Sequence, residues 1–116
     1  MVTEPNFIRS IPMLASPDLG RTQHFFRDTL HFQTQYFGDY LIVEKQDIAI
    51  HYYLPEGNFQ PGRCLILVSN IQDLYAQYAA LGVVHPKHTL QDNRRWQREF
   101  ALVDNNGNRI VFAEQR

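Results

Sequence analysis

An eight-residue breaker, Pro55-Glu56-Gly57-Asn58-Phe59-Gln60-Pro61-Gly62, divides the chain into two stretches that repeat one order of structure. With two prolines and two glycines it cannot be a strand or a helix, so it reads as a linker. Before it, residues 7–15 are mostly apolar and predict a strand, irregular or at an edge because Pro12 lacks a ladder donor. Ser16-Pro17-Asp18 predicts a helix start, with the Ser16 hydroxyl as cap and Pro17 at the first helical position. Leu19, Thr22, Phe25, Phe26 and Leu30 follow at helical spacing. Residues 32–37, 40–45 and 48–54 are short, aromatic and β-branched, with Gly38-Asp39 and Gln46-Asp47 as turns between them.

After the linker the order begins again. Residues 63–68 predict a strand, and Ser69-Asn70 a helix cap. Ile71, Leu74, Tyr75, Tyr78 and Leu81 form an apolar stripe that Gly82 ends. Residues 83–89 read as extended and 97–103 as a strand. Asp104-Asn105-Asn106-Gly107-Asn108 reads as a hairpin turn before a last strand over 109–114. The expected organisation is one domain over 1–116, with a first βαβββ module over 7–54, a linker over 55–62 and a second module over 63–114. Each module has one helix, which can cover only one face of its sheet. The other face must curve on itself, meet the other module or meet another chain.

Charge narrows the function. Eleven Lys and Arg face twelve Asp and Glu, for a net of −1, so a nucleic-acid partner is not expected. No apolar run approaches the roughly 20 residues of a membrane span. The N-terminus lacks the basic start and apolar core of a signal peptide, which makes the cytoplasm the expected compartment. The single cysteine, Cys64, excludes an internal disulfide and a Cys-rich zinc site. It alternates with Arg63 and Leu65, so it should face the helix side and belong to the core.

Three blocks resemble a known family. Ile11-Pro12-Met13-Leu14-Ala15-Ser16-Pro17-Asp18-Leu19, with Phe25-Phe26 and Leu30-His31-Phe32 downstream, is similar to the opening of bleomycin resistance proteins. Asp47-Ile48-Ala49-Ile50-His51-Tyr52-Tyr53 resembles their fourth strand. Trp96-Gln97-Arg98-Glu99-Phe100-Ala101-Leu102-Val103-Asp104 with Asn105-Asn106-Gly107-Asn108 resembles their closing hairpin, and is the most specific block. These proteins belong to the vicinal oxygen chelate superfamily, with glyoxalase I, extradiol dioxygenases and fosfomycin-resistance enzymes. The resemblance implies an α+β fold of paired βαβββ modules around a U-shaped mixed sheet, helices outside. It also implies a homodimer with ligand clefts where modules meet. The superfamily holds both metalloenzymes and metal-free binders, so the fold does not choose between them.

The superfamily's enzymes hold a divalent metal with His, Glu or Gln from four strand positions. Matched one at a time, those positions carry Ile11, His51, Arg63 and Val111. Only His51 can ligate; Ile and Val have no donor atom, and Arg is a cation. A catalytic metal needs about three protein ligands. No metal, cofactor or catalytic residue is therefore expected. His85 and His88 fall on opposite faces if their segment is extended.

If His51 faces inward, alternation puts Ala49 and Tyr53 beside it, Met13 and Ala15 across from it, and Arg63, Leu65 and Leu67 on the second sheet with Glu99. Such a lining suits a large, partly aromatic small molecule. The candidate ligand-binding residues are Trp96, His51, Arg63, Glu99, Tyr53, Phe37, Tyr40 and Phe59. Trp96 with Phe37, Tyr40 or Phe59 would stack on the ligand. His51, Arg63 and Glu99 would orient it, and Arg63 could pair with Glu99 across the cavity. Each has a plainer reading: Trp96 at the dimer seam, His51 hydrogen-bonded in the core, the aromatics capping it. The expected function is a metal-independent, homodimeric small-molecule binder of the bleomycin-resistance type, acting by sequestration and conferring antibiotic resistance. The alternative is a lyase, isomerase or oxygenase with an atypical site, and a third is a module that binds another protein.

Overall fold

The computed structural model describes residues 3–115. The alternating apolar residues of the first stretch build β1 (Met13–Ala15), β2 (Gln33–Phe37), β3 (Tyr40–Lys45) and β4 (Ile48–Tyr53). Between β1 and β2 runs α1 (Leu19–His24), which widens into a π-helical turn over Phe25–Thr29. The second stretch builds β5 (Arg63–Val68), α2 (Ile71–Ala80), the two-residue β6 (Gln91–Asp92), β7 (Arg98–Val103) and β8 (Arg109–Glu114). Two four-stranded mixed sheets result, in the orders β1-β4-β3-β2 and β5-β8-β7-β6. In each, the first strand lies parallel to the last, β1 on β4 and β5 on β8, and the remaining pairs are antiparallel. This is the expected α+β architecture.

Three local expectations are corrected. The first strand begins at Met13, not at residue 7. Pro12 can offer its carbonyl, which accepts from His51 N at 3.0 Å, but has no N–H to continue the ladder. The cap of α1 is Asp18, whose Oδ1 accepts from Arg21 N at 3.1 Å. Ser16 is instead fully buried, with its Oγ 2.7 Å from Thr22 Oγ1. At α2, Asn70 is the cap residue but lies in the left-handed region (φ 52°) and makes no side-chain cap bond. Ile71 N donates to Glu114 Oε2 of β8 instead, at 3.4 Å.

One core spans both halves. Leu41, Val43, Ile50 and Tyr52 face the first helix; Phe100, Leu102, Ile110 and Phe112 face the second. The turn from β7 to β8 clasps the two sheets. Tyr52 OH donates to Asp104 Oδ2 at 2.6 Å, and Asn108 Nδ2 donates to Ala15 O at 3.3 Å. Asn105 and Asn106 each donate through Nδ2 to Thr22 Oγ1. Gly107 takes φ 85° in that turn and comes within 3.4 Å, measured from a built Cβ, of Pro61 in the connection. A side chain there would be strained by the backbone angle.

The far face of the first sheet leaves Met13, Phe37 and Tyr53 exposed; that of the second leaves Arg63, Leu65 and Leu67 of β5 exposed, while Ala101, Val111 and Ala113 on it are buried. The radius of gyration is 15.5 Å. A compact domain of this length would have roughly 13 Å.

Candidate functional site

On the first sheet the open face is set by alternation from the buried Ile50 and Tyr52. Register lines up Met13, His51, Ile42 and Gln35 in one row across the strands. The next row is Ala15, Tyr53, Tyr40 and Phe37. Four expected site residues, Phe37, Tyr40, His51 and Tyr53, therefore share one face. Tyr40 OH lies 2.8 Å from His51 Nδ1, with the rings edge to face at 5.3 Å. Met13 and Phe37 are each 57% exposed. This is an aromatic and thioether surface with one polar pair at its centre, open to a ligand.

On the second sheet, Ile66, Ile110 and Phe112 point to the helix, so Arg63, Leu65 and Leu67 share the open face with Arg109, Val111 and Glu99. Arg63 does not pair with Glu99. Register sets Arg63 against Arg109 and Glu99 against Ala113, four residues further along β8. Glu99 is held otherwise: His88 Nε2 meets its Oε2, and Asn93 Nδ2 donates to its Oε1. His88 and Glu99 are both largely buried.

The sequence offered His88 only as half of a metal-ligand pair with His85, and did not single out Asn93 or Arg109. The segment over 83–88 runs irregularly beside β7, with His85 N donating to Ala101 O and Ala101 N to His88 O. This path brings His85 to Arg109 (Nε2 to NH2, 2.9 Å) and His88 to Glu99. Alternation within the last strand was the one available signal for Arg109. Trp96 sits half-buried in the loop before β7, where Asn93 Oδ1 accepts from Arg95 N and Trp96 N. Phe59 is half-buried in the connection. Neither ring stacks on another aromatic among the described residues.

Among the described residues, no three His, Cys, Asp or Glu side chains converge as a metal site. Of the four positions matched by resemblance to the superfamily's metal ligands, only His51 carries a group that can ligate; the others are Ile11, Arg63 and Val111. Cys64 is half-buried on the helix side, as expected. Burial first, then the nearby Asp104 carboxylate, pushes its thiol up to about 11, which makes it a poor nucleophile. Burial also raises the Tyr52 hydroxyl, with Asp104 adding to it.

Two open grooves lie elsewhere. A groove of about 620 Å³ runs between the β3–β4 turn and α2, past Asp47, Ile48, Leu74 and Tyr78. A second, of about 480 Å³, lies among Val68, Asn70, Gln97 and Glu114. None of the candidate residues lines either. Phe37, Tyr40, His51, Tyr53 and Arg63 stand on sheet faces, whereas Trp96 and Phe59 lie in loops and Glu99 is largely buried.

No family model matches the chain. A bleomycin resistance protein of Geobacillus stearothermophilus is 28% identical over 128 residues, which cover 93% of this chain and 97% of that protein. The bleomycin-binding protein of Streptomyces verticillus, solved with copper(II)-bleomycin, has a TM-score of 0.81 at 24% identity, over 97% of this chain and 100% of that one. A lactoylglutathione lyase from Agrobacterium tumefaciens has a TM-score of 0.77 at 14% identity, over 96% of each chain. The two structural likenesses establish a shared fold.

Proposed function

We propose that this chain, which belongs to the glyoxalase/bleomycin-resistance family of the vicinal oxygen chelate superfamily, is a metal-independent binder that sequesters an aromatic small molecule. The carrying observation is the open face where Met13, Phe37, Tyr40, His51 and Tyr53 stand together. Flat apolar rings with one oriented polar pair suit stacking on an aromatic ligand. Only His51 of the four chelating positions has a donor atom, which favours binding without a metal.

A homodimer would convert the open faces into clefts, and bleomycin is the first ligand to test. Beyond the site, Phe7 is 101% and Ile8 85% exposed, and Leu65 and Leu67 stay 48% and 42% exposed on the second sheet. So much uncovered apolar surface on a small chain supports association. Protection would then come from affinity and protein concentration, with no bond broken. No helix of the described residues is long and apolar enough to cross a membrane. Action in the cytoplasm is part of this proposal.

The test is a titration with metal-free bleomycin, followed by Trp96 fluorescence and corrected for absorption by the drug. Saturable quenching near one ligand per chain, unchanged by chelator, is expected. A stoichiometric metal in the purified protein, with activity lost in His51→Ala, would replace this reading with an enzymatic one.

A further inference from the structure

Arg63 and Arg109 are direct neighbours on adjacent parallel strands and point to the same open face. Like charges opposed across strands repel. No carboxylate lies in ion-pair range of either guanidinium among the described residues. The only acid on the open face of these strands is Glu99, which His88 and Asn93 already engage. Lys87 adds a third cation from the segment beside β7, and among the described residues no ion pair joins it to an acid.

His85 makes the deficit specific. Its Nδ1 faces the backbone N–H of Lys87 at 3.0 Å, and its Nε2 faces Arg109 NH2 at 2.9 Å. Both neighbours can only donate, yet a neutral imidazole has one acceptor nitrogen. The cluster is therefore one acceptor short as well as unbalanced in charge. Burial and the surrounding cations Arg109, His88, Lys87 and Arg63 lower the basicity of His85, so the ring does not add to the charge at neutral pH.

We infer that Arg63 and Arg109 form an anion-binding subsite, and that the ligand carries a carboxylate, sulfonate or phosphate on an apolar body. A guanidinium matches such oxyanions through its fork of N–H donors, and the register sets two such residues on neighbouring strands. The body has a surface to lie on. Leu65 and Leu67 follow Arg63 on the same face, and the strand rise carries that surface about 13 Å from the arginines. Glu99, with its oxygens held, closes the far end. This inference rests on the proposed small-molecule reading and names its ligand class.

The experiment is calorimetry on the full chain with sodium naphthalene-1-sulfonate and with the uncharged naphthalene-1-sulfonamide, and with metal-free bleomycin in parallel. The sulfonate should bind about tenfold tighter than the sulfonamide. Arg63→Gln/Arg109→Gln should abolish that preference, with the sulfonate losing more affinity than the sulfonamide. Arg63→Gln alone, an exposed site, should reduce it and serves if the double variant does not fold. Equal binding of the two compounds, absence of sulfonate binding, or a preference that survives both substitutions overturns the subsite. So does a variant that only dissociates the dimer, since the arginines would then face carboxylates of a second copy. Bleomycin binding without sulfonate preference overturns the subsite and leaves the binding-protein reading standing. Binding of none of the three compounds overturns both.

Discussion

Tyr52 of β4 and Asp104 of the β7–β8 turn, 52 residues apart, share a buried 2.6 Å hydrogen bond that joins one sheet to the other. Asp104 also accepts from Asn106 N, Asn108 N and Asn108 Nδ2, so one carboxylate organises both the turn and the seam. Tyr52→Phe keeps the ring against Phe26 and removes only the donor. It should cost about 2 kcal/mol, the usual range for a hydrogen bond to a charged group. Urea unfolding measures this. A loss below a few tenths of a kcal/mol would mean that Asp104 is satisfied by the turn alone.

The Tyr40–His51 pair can be tested apart from stability, because both side chains lie on the open face. His51→Ala and Tyr53→Ala should each weaken the titrated ligand by about tenfold, a loss of about 1.4 kcal/mol. Their melting temperatures should stay near that of the parent protein. Tyr40→Phe, which frees His51 Nδ1, should have a smaller effect in the same direction. Unchanged affinity in all three would move the ligand off this sheet.

His85 predicts an acid-sensitive step. Its basicity is lowered in the folded chain by burial first, then by Arg109, His88, Lys87 and Arg63. The unfolded chain therefore takes up the proton more readily. Its contribution to stability is complete above the ordinary histidine value of about 6.5, and is lost as pH falls from there toward the folded value. Thermal unfolding between pH 7.5 and 5.5 should show a decline that is shallower in His85→Gln. Identical slopes would show that His85 contributes no such term.

The exposed segment before β1 makes a separate prediction about assembly. Phe7→Ser/Ile8→Ser changes no buried contact of the single chain, so its fold should stand by circular dichroism. If the two side chains seat on a second copy, the dimer should dissociate at least about tenfold more readily in sedimentation, from the lost apolar burial. An unaltered sedimentation profile would assign the association to the sheet faces alone.

The order of elements was readable because each carries its own local pattern. The helical spacing of Leu19, Thr22, Phe25 and Phe26 and the alternation of Ala49, His51 and Tyr53 needed no knowledge of the rest. Alternation also assigned Arg63, Leu65 and Leu67 correctly to one face. What it could not supply was register. Arg63 and Glu99 lie on one face, but their separation depends on how β5, β8 and β7 slide against each other. The His88–Glu99 contact was hidden for a related reason. Residues 83–88 leave regular extended geometry, so a period-two rule no longer tells which way a side chain turns. The cap of α1 failed on competition: Ser16 found a buried partner in Thr22, and Asp18, two residues on, took the role expected of it.

The connection over 54–62 touches the rest of the molecule mainly at its C-terminal end, where Gly62 N donates to Asn108 Oδ1 and Pro61 packs by Gly107. The clasp formed by Asp104, Asn105, Asn106 and Asn108 does not depend on the peptide bonds at Glu56-Gly57. A chain cut there should still assemble from its two fragments when they are expressed together, since the shared core and the turn's side chains both match one half to the other. Continuity of the polypeptide then serves to keep the halves at equal number and high local concentration, while four polar residues of one hairpin lock the register of their union.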